Sequence, residues 1–317
     1  MRVVFMGTPD FAVPTLESLI RSEHDVVGVV TQPDKPKGRS GKLQYSPVKE
    51  AAVAAEIPVY QPERIKDGAF YPVLEQLQPD VIVVVAFGQI LPVEVLEFPK
   101  YGCLNVHASL LPKLRGAAPI QWSVIEGDKV SGVTIQQMNE GLDTGDILLT
   151  KTYTLDEKET GGSLFDRLAA FGGPMILEVL KQAEEGSLQP VPQGEEYTYA
   201  KKLTKDLGAL DFTQSAVQLE RLIRGLNPWP SAYTTLQGKM LKIWEADVVT
   251  PEACAEQQVP EGKPGEIVYV NKSSLWIQTG EGCLAVQSLQ LAGKKRMEID
   301  AFLRGVAIET GTMLVKP

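Results

Sequence analysis

Residues 1–31, MRVVFMGTPDFAVPTLESLIRSEHDVVGVVT, decide the fold. Residues 3–6 are a short apolar run that ends at Gly7-Thr8-Pro9-Asp10, residues 11–21 repeat apolar side chains at helical spacing, and residues 26–31 are a second Val-rich run. Pro9 and Asp10 suit a helix start, where a missing N–H costs nothing and a carboxylate meets the positive end of the dipole. Two apolar strands joined through a helix predict parallel pairing with a crossover. Further apolar runs at 81–87, 104–106, 133–138 and 148–155 alternate with helical patterns at 47–56, 117–126 and 163–184. The chain is therefore expected to be α/β, with a Rossmann-like parallel or mixed sheet covered on both faces. Gly172-Gly173-Pro174 should bend the last of these helices or divide it in two.

From about 186 to 205 the periodicity lapses, and Pro190, Pro192 and Gly194 stand among polar residues as in an interdomain linker. One helical pattern follows at 215–225, then short strands at 232–236, 240–249, 265–270, 275–279 and 283–291 with almost no helix between them. Tight turns between five short strands predict a small β-barrel. The expected division is a first domain at 1–188, a linker at 189–206 and a second domain at 207–317.

Composition narrows the class. Of 317 residues, 44% are hydrophobic and 22% charged, enough for cores that need no staple. Cys103, Cys254 and Cys283 are far apart and odd in number, which suits a reducing cytoplasm better than a disulfide framework or a zinc site. The opening run lacks the length and cleavage site of a signal peptide, and no stretch approaches about 18 uninterrupted apolar residues, so no membrane span is expected. The formal charge of −9 argues against a general binder of nucleic acid. Residues 205–317 hold 12 Lys and Arg against 13 Asp and Glu, a net −1, which leaves −8 for residues 1–204. Inside that acidic half the stretch 32–42 is positive: Lys35, Lys37, Arg39 and Lys42 face only Asp34. Taken alone, such a stretch is most simply a solvated connection.

The chain has two histidines. His24 sits in the polar turn Ser22-Glu23-His24-Asp25 and reads as structural. His107 stands two residues after Asn105 at the end of a predicted strand, and period-2 geometry puts both side chains on one face. An amide donor beside an imidazole suits a carbonyl that becomes tetrahedral, because together they stabilise the oxyanion and move a proton. The competing reading is a strand-end pair satisfied by backbone groups. Gly141-Leu142-Asp143-Thr144-Gly145-Asp146 follows another strand and offers a carboxylate to fix the tautomer of His107. Spacing does not choose between Asp143 and Asp146. Gly7-Thr8-Pro9-Asp10 lacks the G-x-G-x-x-G fingerprint, which argues against a dinucleotide.

Asn105-Val-His107-Ala-Ser109-Leu-Leu-Pro112, then Lys113-Leu-Arg115-Gly-Ala-Ala-Pro-Ile-Gln121, then Gly141-Leu-Asp143-Thr-Gly-Asp146 together resemble the 10-formyltetrahydrofolate-dependent formyltransferases. Gly7–Phe11, Thr31–Asp34, Ser46–Lys49, Asn227-Pro-Trp-Pro230 and Leu291–Lys295 agree in order, so the resemblance runs nearly end to end. It implies transfer of a formyl group from 10-formyltetrahydrofolate, as substrate, to an amine. In the branch matched best that amine belongs to the methionine on initiator tRNA, for translation initiation. It implies Asn105, His107 and Asp143 as catalytic residues. Ser109, Leu110, Leu111 and Pro112 would border the folate, and Val85, Ala86, Phe87 and Gly88, with the Asp143 loop, would hold its pterin. The loop with Lys35, Lys37, Arg39 and Lys42 would meet the tRNA acceptor stem, Arg39 foremost. The second domain would be an OB-like β-barrel whose Lys294, Lys295 and Arg296 follow the acceptor arm, with Lys239 and Lys242 as further candidates. No metal, no membrane and a monomer are expected. Leu114, Leu291 and Ser40 depart from the commonest residues at their positions. The competing classes are a formyltransferase for a small amine such as an amino-sugar nucleotide or glycinamide ribonucleotide, a hydrolase that releases formate, and a non-catalytic RNA-binding module.

Overall fold

Val3, Val4, Phe5 and Met6 are fully buried in β1 (Arg2–Gly7) of the computed structural model, which describes residues 1–36 and 43–316. Lys37, Arg39 and Lys42 lie outside the described residues. The first part of the chain continues as α1 (Val13–Ile20), β2 (Asp25–Val30), β3 (Lys35–Pro36), β4 (Leu43–Gln44), α2 (Pro47–Ala54), β5 (Val59–Tyr60) and α3 (Tyr71–Leu77). It runs on through β6 (Val81–Val85), α4 (Val93–Leu96), β7 (Cys103–His107), β8 (Arg115–Gly116), α5 (Pro119–Glu126) and β9 (Val130–Gln137). It ends with β10 (Ile147–Thr154), α6 (Gly161–Glu185) and β11 (Tyr199–Ala200).

Seven strands form one sheet in the order β10-β9-β7-β6-β1-β2-β5. Five of them, β5, β2, β1, β6 and β7, pair in parallel. β9 runs antiparallel to both β7 and β10, which makes the sheet mixed. Every residue of β6 is buried, which is why it reads as an unbroken Val/Ile run and not as an alternation. From β1 the chain proceeds to β2 and β5 on one side, then crosses to β6 and β7 on the other. The strand order therefore reverses between β1 and β6, where Gly7 and Val85 lie in register at the carboxyl ends. Open α/β sheets receive their ligands at such a switch point.

The chain divides into two compact units. The first comprises Met1–Pro119, Val130–Thr154 and Phe165–Ala200, and the second comprises Ile120–Lys129, Leu155–Leu164 and Lys201–Pro317. The last crossing, after Ala200, falls inside the stretch read as a linker. Up to that point the segment is built into the first unit: Val191 bridges Ile147, and β11 pairs in parallel with β8.

α6 is one continuous helix with Pro174 inside it, so of the two outcomes expected at Gly172-Gly173-Pro174, a bend or a division, the division does not occur. The two glycines serve close packing. A methyl on Gly172 would collide with Thr15 Oγ1 and lie 3.2 Å from Val106 Cγ1, and one on Gly173 would collide with Ser18 Oγ. Thr15 and Ser18 belong to α1, so the missing side chains seat α6 on α1 and the back of β7.

In the second unit, Ser215 and Gln218 form a capping box at the start of α7 (Ala216–Gly225). There follow β12 (Ala232–Leu236), β13 (Lys239–Val249), α8 (Pro251–Glu256), β14 (Ile267–Val270) and β15 (Leu275–Gln278). The unit ends with β16 (Cys283–Leu291), β17 (Met297–Glu298), α9 (Ile299–Gly305) and β18 (Leu314–Val315). The antiparallel order is β14-β15-β16-β13-β12-β18, with β17 on β16. A bridge between Glu266 and Met313, with Leu314 N donating to Gly265 O at 2.8 Å, joins the last strand to the first and curls the sheet round a core of Ile243, Ile267, Ile277 and Leu284. The expected five strands are all there. The helices α8 and α9 were not expected, since six or seven residues are too few to establish a helical period.

Candidate active site

β7 carries Asn105 and His107 toward the carboxyl end of the sheet. Its antiparallel neighbour β9 places Gln136 opposite Asn105 and Thr134 opposite His107, so all four side chains share one face. Thr134 Oγ1 donates to Ser109 O at 2.7 Å and accepts from Leu111 N at 3.2 Å. That pair of bonds fixes the exit of the chain through Ser109, Leu110, Leu111 and Pro112, where the Leu111–Pro112 peptide is cis.

His107 is buried, and its Nε2 lies 3.0 Å from Leu114 O. A carbonyl only accepts, so Nε2 carries a proton. Nδ1 points at Asp143 Oδ1, 3.6 Å away and beyond direct hydrogen-bonding reach. Asp143 itself sits in the left-handed region at φ +52°. Its Oδ1 accepts from Gln136 Nε2 at 3.0 Å and from Asn105 Nδ2 at 3.4 Å, and its Oδ2 accepts from Gly116 N at 2.8 Å. The choice that spacing left open is made by this geometry: Asp143 meets the Asn/His pair, while Asp146 joins the sheet through its backbone O, which accepts Gln137 N at 2.8 Å.

Sequence reading passed over the residues that hold Asp143. Gln136 is only 1% exposed, and its Oε1 has no hydrogen-bond partner among the described residues. Gln193 is the other, through the Asp143 backbone oxygen, and is itself held by Arg115, whose Nε and Nη2 both donate to Gln193 Oε1, at 3.0 and 2.8 Å. Gln136 carried a usable signal, its even spacing from Thr134 on a strand beside the Asn/His strand. Gln193 carried none, because it stands in a Pro/Gly-rich stretch far along the chain.

Val85, Ala86, Phe87 and Gly88 lead out of β6 at the switch point. Ala86 and Gly88 are exposed with φ of +47° and +84°, and Gln32 Nε2 donates to Phe87 O at 3.1 Å. The base of the basic loop lies nearby in sequence. Lys35 is exposed on β3, and Asp34 accepts from Lys49 Nζ at 2.6 Å and Gln61 Nε2 at 2.9 Å. These bonds, that from Lys49 first, hold the Asp34 carboxyl below its ordinary range. The one negative charge of the loop is thereby answered by a lysine outside it.

In the second unit Lys294, Lys295 and Arg296 are exposed between β16 and β17. Arg296 Nη2 pairs with Glu245 at 2.8 Å, and its Nε donates to Ser288 Oγ at 2.8 Å. His24 rests against the amino terminus, Nδ1 at 3.2 Å from Met1 N, and burial followed by that ammonium charge holds its pKa down. Among the described residues no group of three or more His, Cys, Asp or Glu could hold a metal ion. No described helix is long and apolar enough to cross a membrane.

Asn105, His107 and Asp143 at the carboxyl edge of a mixed α/β sheet are groups suited to acyl transfer, in which an amide donor and an imidazole meet a developing oxyanion. The family model described as Formyl transferase matches residues 1–180, that described as Formyl transferase, C-terminal domain matches residues 202–307, and the chain belongs to this family. It is 58% identical over 315 residues to a methionyl-tRNA formyltransferase of Lachnospira eligens, covering 99% of each chain. Among solved structures it is similar in fold to WlaRD, a sugar 3N-formyl transferase, with TM-score 0.65 and 16% identity over 93% of this chain and 99% of that one. It is also similar in fold to HypX from Aquifex aeolicus, solved in complex with tetrahydrofolic acid, with TM-score 0.60 and 18% identity over 98% of this chain and 50% of that one.

Proposed function

We infer that this chain transfers the formyl group of 10-formyltetrahydrofolate to the α-amino group of methionine on initiator tRNA. The observation that carries the reading is the 58% identity along 99% of both chains to a protein named for that activity. The acceptor amine attacks the formyl carbon and charge gathers on the formyl oxygen. Asn105 has two amide N–H groups; one faces Asp143, and the other donates to the oxyanion. Protonated His107 offers its Nδ1 edge to the same charge. Asp143 keeps the imidazole oriented and helps take the proton that leaves the amine, directly or through water. Collapse of the tetrahedral adduct breaks the bond between the formyl carbon and the folate nitrogen, which takes up a proton as tetrahydrofolate leaves. The folate lies along Ser109–Pro112, with its pterin at the exposed backbone of Ala86 and Gly88. The whole site stays within the expected catalytic domain, 1–188, apart from the segment that carries Gln193.

The tRNA is met by Lys35, Lys37, Arg39 and Lys42 on the first domain and by Lys294, Lys295 and Arg296 on the second, 207–317. A monomer in the cytoplasm belongs to the same reading, and three free thiols agree with a reducing compartment. The test uses purified protein, labelled formyl folate and three acceptors: methionyl initiator tRNA, an amino-sugar nucleotide and glycinamide ribonucleotide. Label on the tRNA alone is expected. Label on a small amine, or formate released with no acceptor present, would overturn the reading.

A further inference from the structure

Residues 191–200 cross the two loops that hold the catalytic set. Arg115 N donates to Thr198 O at 2.9 Å, Leu114 N donates to Thr198 Oγ1 at 2.9 Å, and Arg115 pairs with Tyr199 across β8 and β11. Gln193 sits at the crossing. Its Oε1 accepts the Arg115 fork, and its Nε2 donates to the backbone oxygens of Asp143 at 2.9 Å and Gly145 at 2.7 Å. The amide has one possible orientation, because a guanidinium only donates and a carbonyl only accepts. Arg115 is itself buried, with its guanidinium 4.5 Å above the Tyr197 ring.

The turn on the Arg115 side supplies two bonds that the site depends on. Leu114 O accepts a hydrogen bond from His107 Nε2, and Gly116 N donates to Asp143 Oδ2. The loop on the other side carries Asp143, whose left-handed backbone a non-glycine residue keeps only when its surroundings hold it there. One amide thus sets the separation between the turn that orients the histidine and the loop that carries the aspartate.

We propose that Gln193 is a positioning residue for formyl transfer, acting through the Asp143 carbonyl on one side and Arg115 on the other. The proposal rests on the function inferred above. It makes residues 191–200 part of the catalytic unit and not a passive connection.

The test compares wild type, Gln193→Met and Gln193→Glu in formyl transfer to methionyl-tRNA, with kcat, KM for each substrate and melting temperature. Methionine keeps the volume and removes every hydrogen bond. Glutamate keeps the acceptor for Arg115 but loses both donors and sets a carboxylate against two carbonyl oxygens. The expected result is a fall in kcat of about 10- to 100-fold in both variants, the range for partners that orient catalytic groups. KM should change little, and the Glu variant should melt close to wild type because Arg115 stays paired. Wild-type kcat in the Glu variant would overturn the proposal, as would a loss confined to KM. If the Met variant does not fold, the Glu variant decides. Failure of the wild-type protein to formylate methionyl-tRNA would sink the functional reading instead, and is seen in the same assay.

Discussion

Asp143 and the Lys294–Arg296 turn both stand out for their charge, and the fold treats them in opposite ways. The Asp143 side chain is 13% exposed and receives three N–H donors, with an imidazole beyond them. Lys294 and Lys295 stand exposed on a turn, and Arg296 beside them is held by Glu245 and Ser288. On the proposed reading this difference follows from the work. A group that meets a developing charge must be in place beforehand, since reorganising it would cost what it gains. A cation that follows a phosphate backbone needs only reach and sign.

The sharpest way to break the contrast is Asn105→Ala, which removes one oxyanion donor. Turnover should fall by ~10²–10³, or roughly 3–4 kcal/mol of transition-state stabilisation, with little change in melting temperature. Wild-type turnover would end the assignment. Gln136→Leu should act next, with kcat down roughly 10-fold as Asp143 loses a donor. Its melting temperature should hold or rise, because the change also removes a buried oxygen that has no partner among the described residues. A fall in stability without a fall in kcat would place Gln136 in the core and not in the site.

Lys294→Glu together with Lys295→Glu should leave kcat at saturation alone and weaken tRNA binding. The slope of log affinity against log salt should drop by about 1 for each phosphate that is no longer neutralised. An unchanged slope removes the turn from the interface. Arg296 is left out of that variant because Glu245 already answers its charge.

The smallest effect expected concerns Asp34. Its carboxyl is held below the ordinary range by Lys49 and Gln61, so it stabilises the fold above about pH 4 and the contribution is lost as pH falls through the lowered value. Asp34→Asn should therefore melt below wild type at pH 7, with the gap closing on acidification. A gap that is constant with pH would show that the carboxylate is not its source.

The central strands were legible because burial on both faces leaves unbroken Val/Ile runs, and Asn105 with His107 because a two-residue spacing on a strand means one face. The carboxylate was not legible in the spacing, and only the family resemblance named Asp143. Asp143 and Asp146 lie in one loop with identical chemistry, and the choice depends on a left-handed backbone and on Gly116, a residue 27 positions away. Gln193 was hidden for a related reason: its partners lie 78, 50 and 48 residues away, and local pattern speaks only of neighbours. That α6 is not divided was hidden because Gly172-Gly173-Pro174 reads locally as a bend or a break, where the fold uses the two glycines for thinness.

That thinness turns a common rule of protein engineering around. Glycine to alanine inside a helix ordinarily favours folding by roughly 1 kcal/mol. At Gly172 the added carbon would press on Thr15 and on Val106, the residue between Asn105 and His107. A thermostabilising screen that fills this helix would push the reactive pair forward from behind, so turnover would be lost to a methyl group on the far side of the sheet from the substrate.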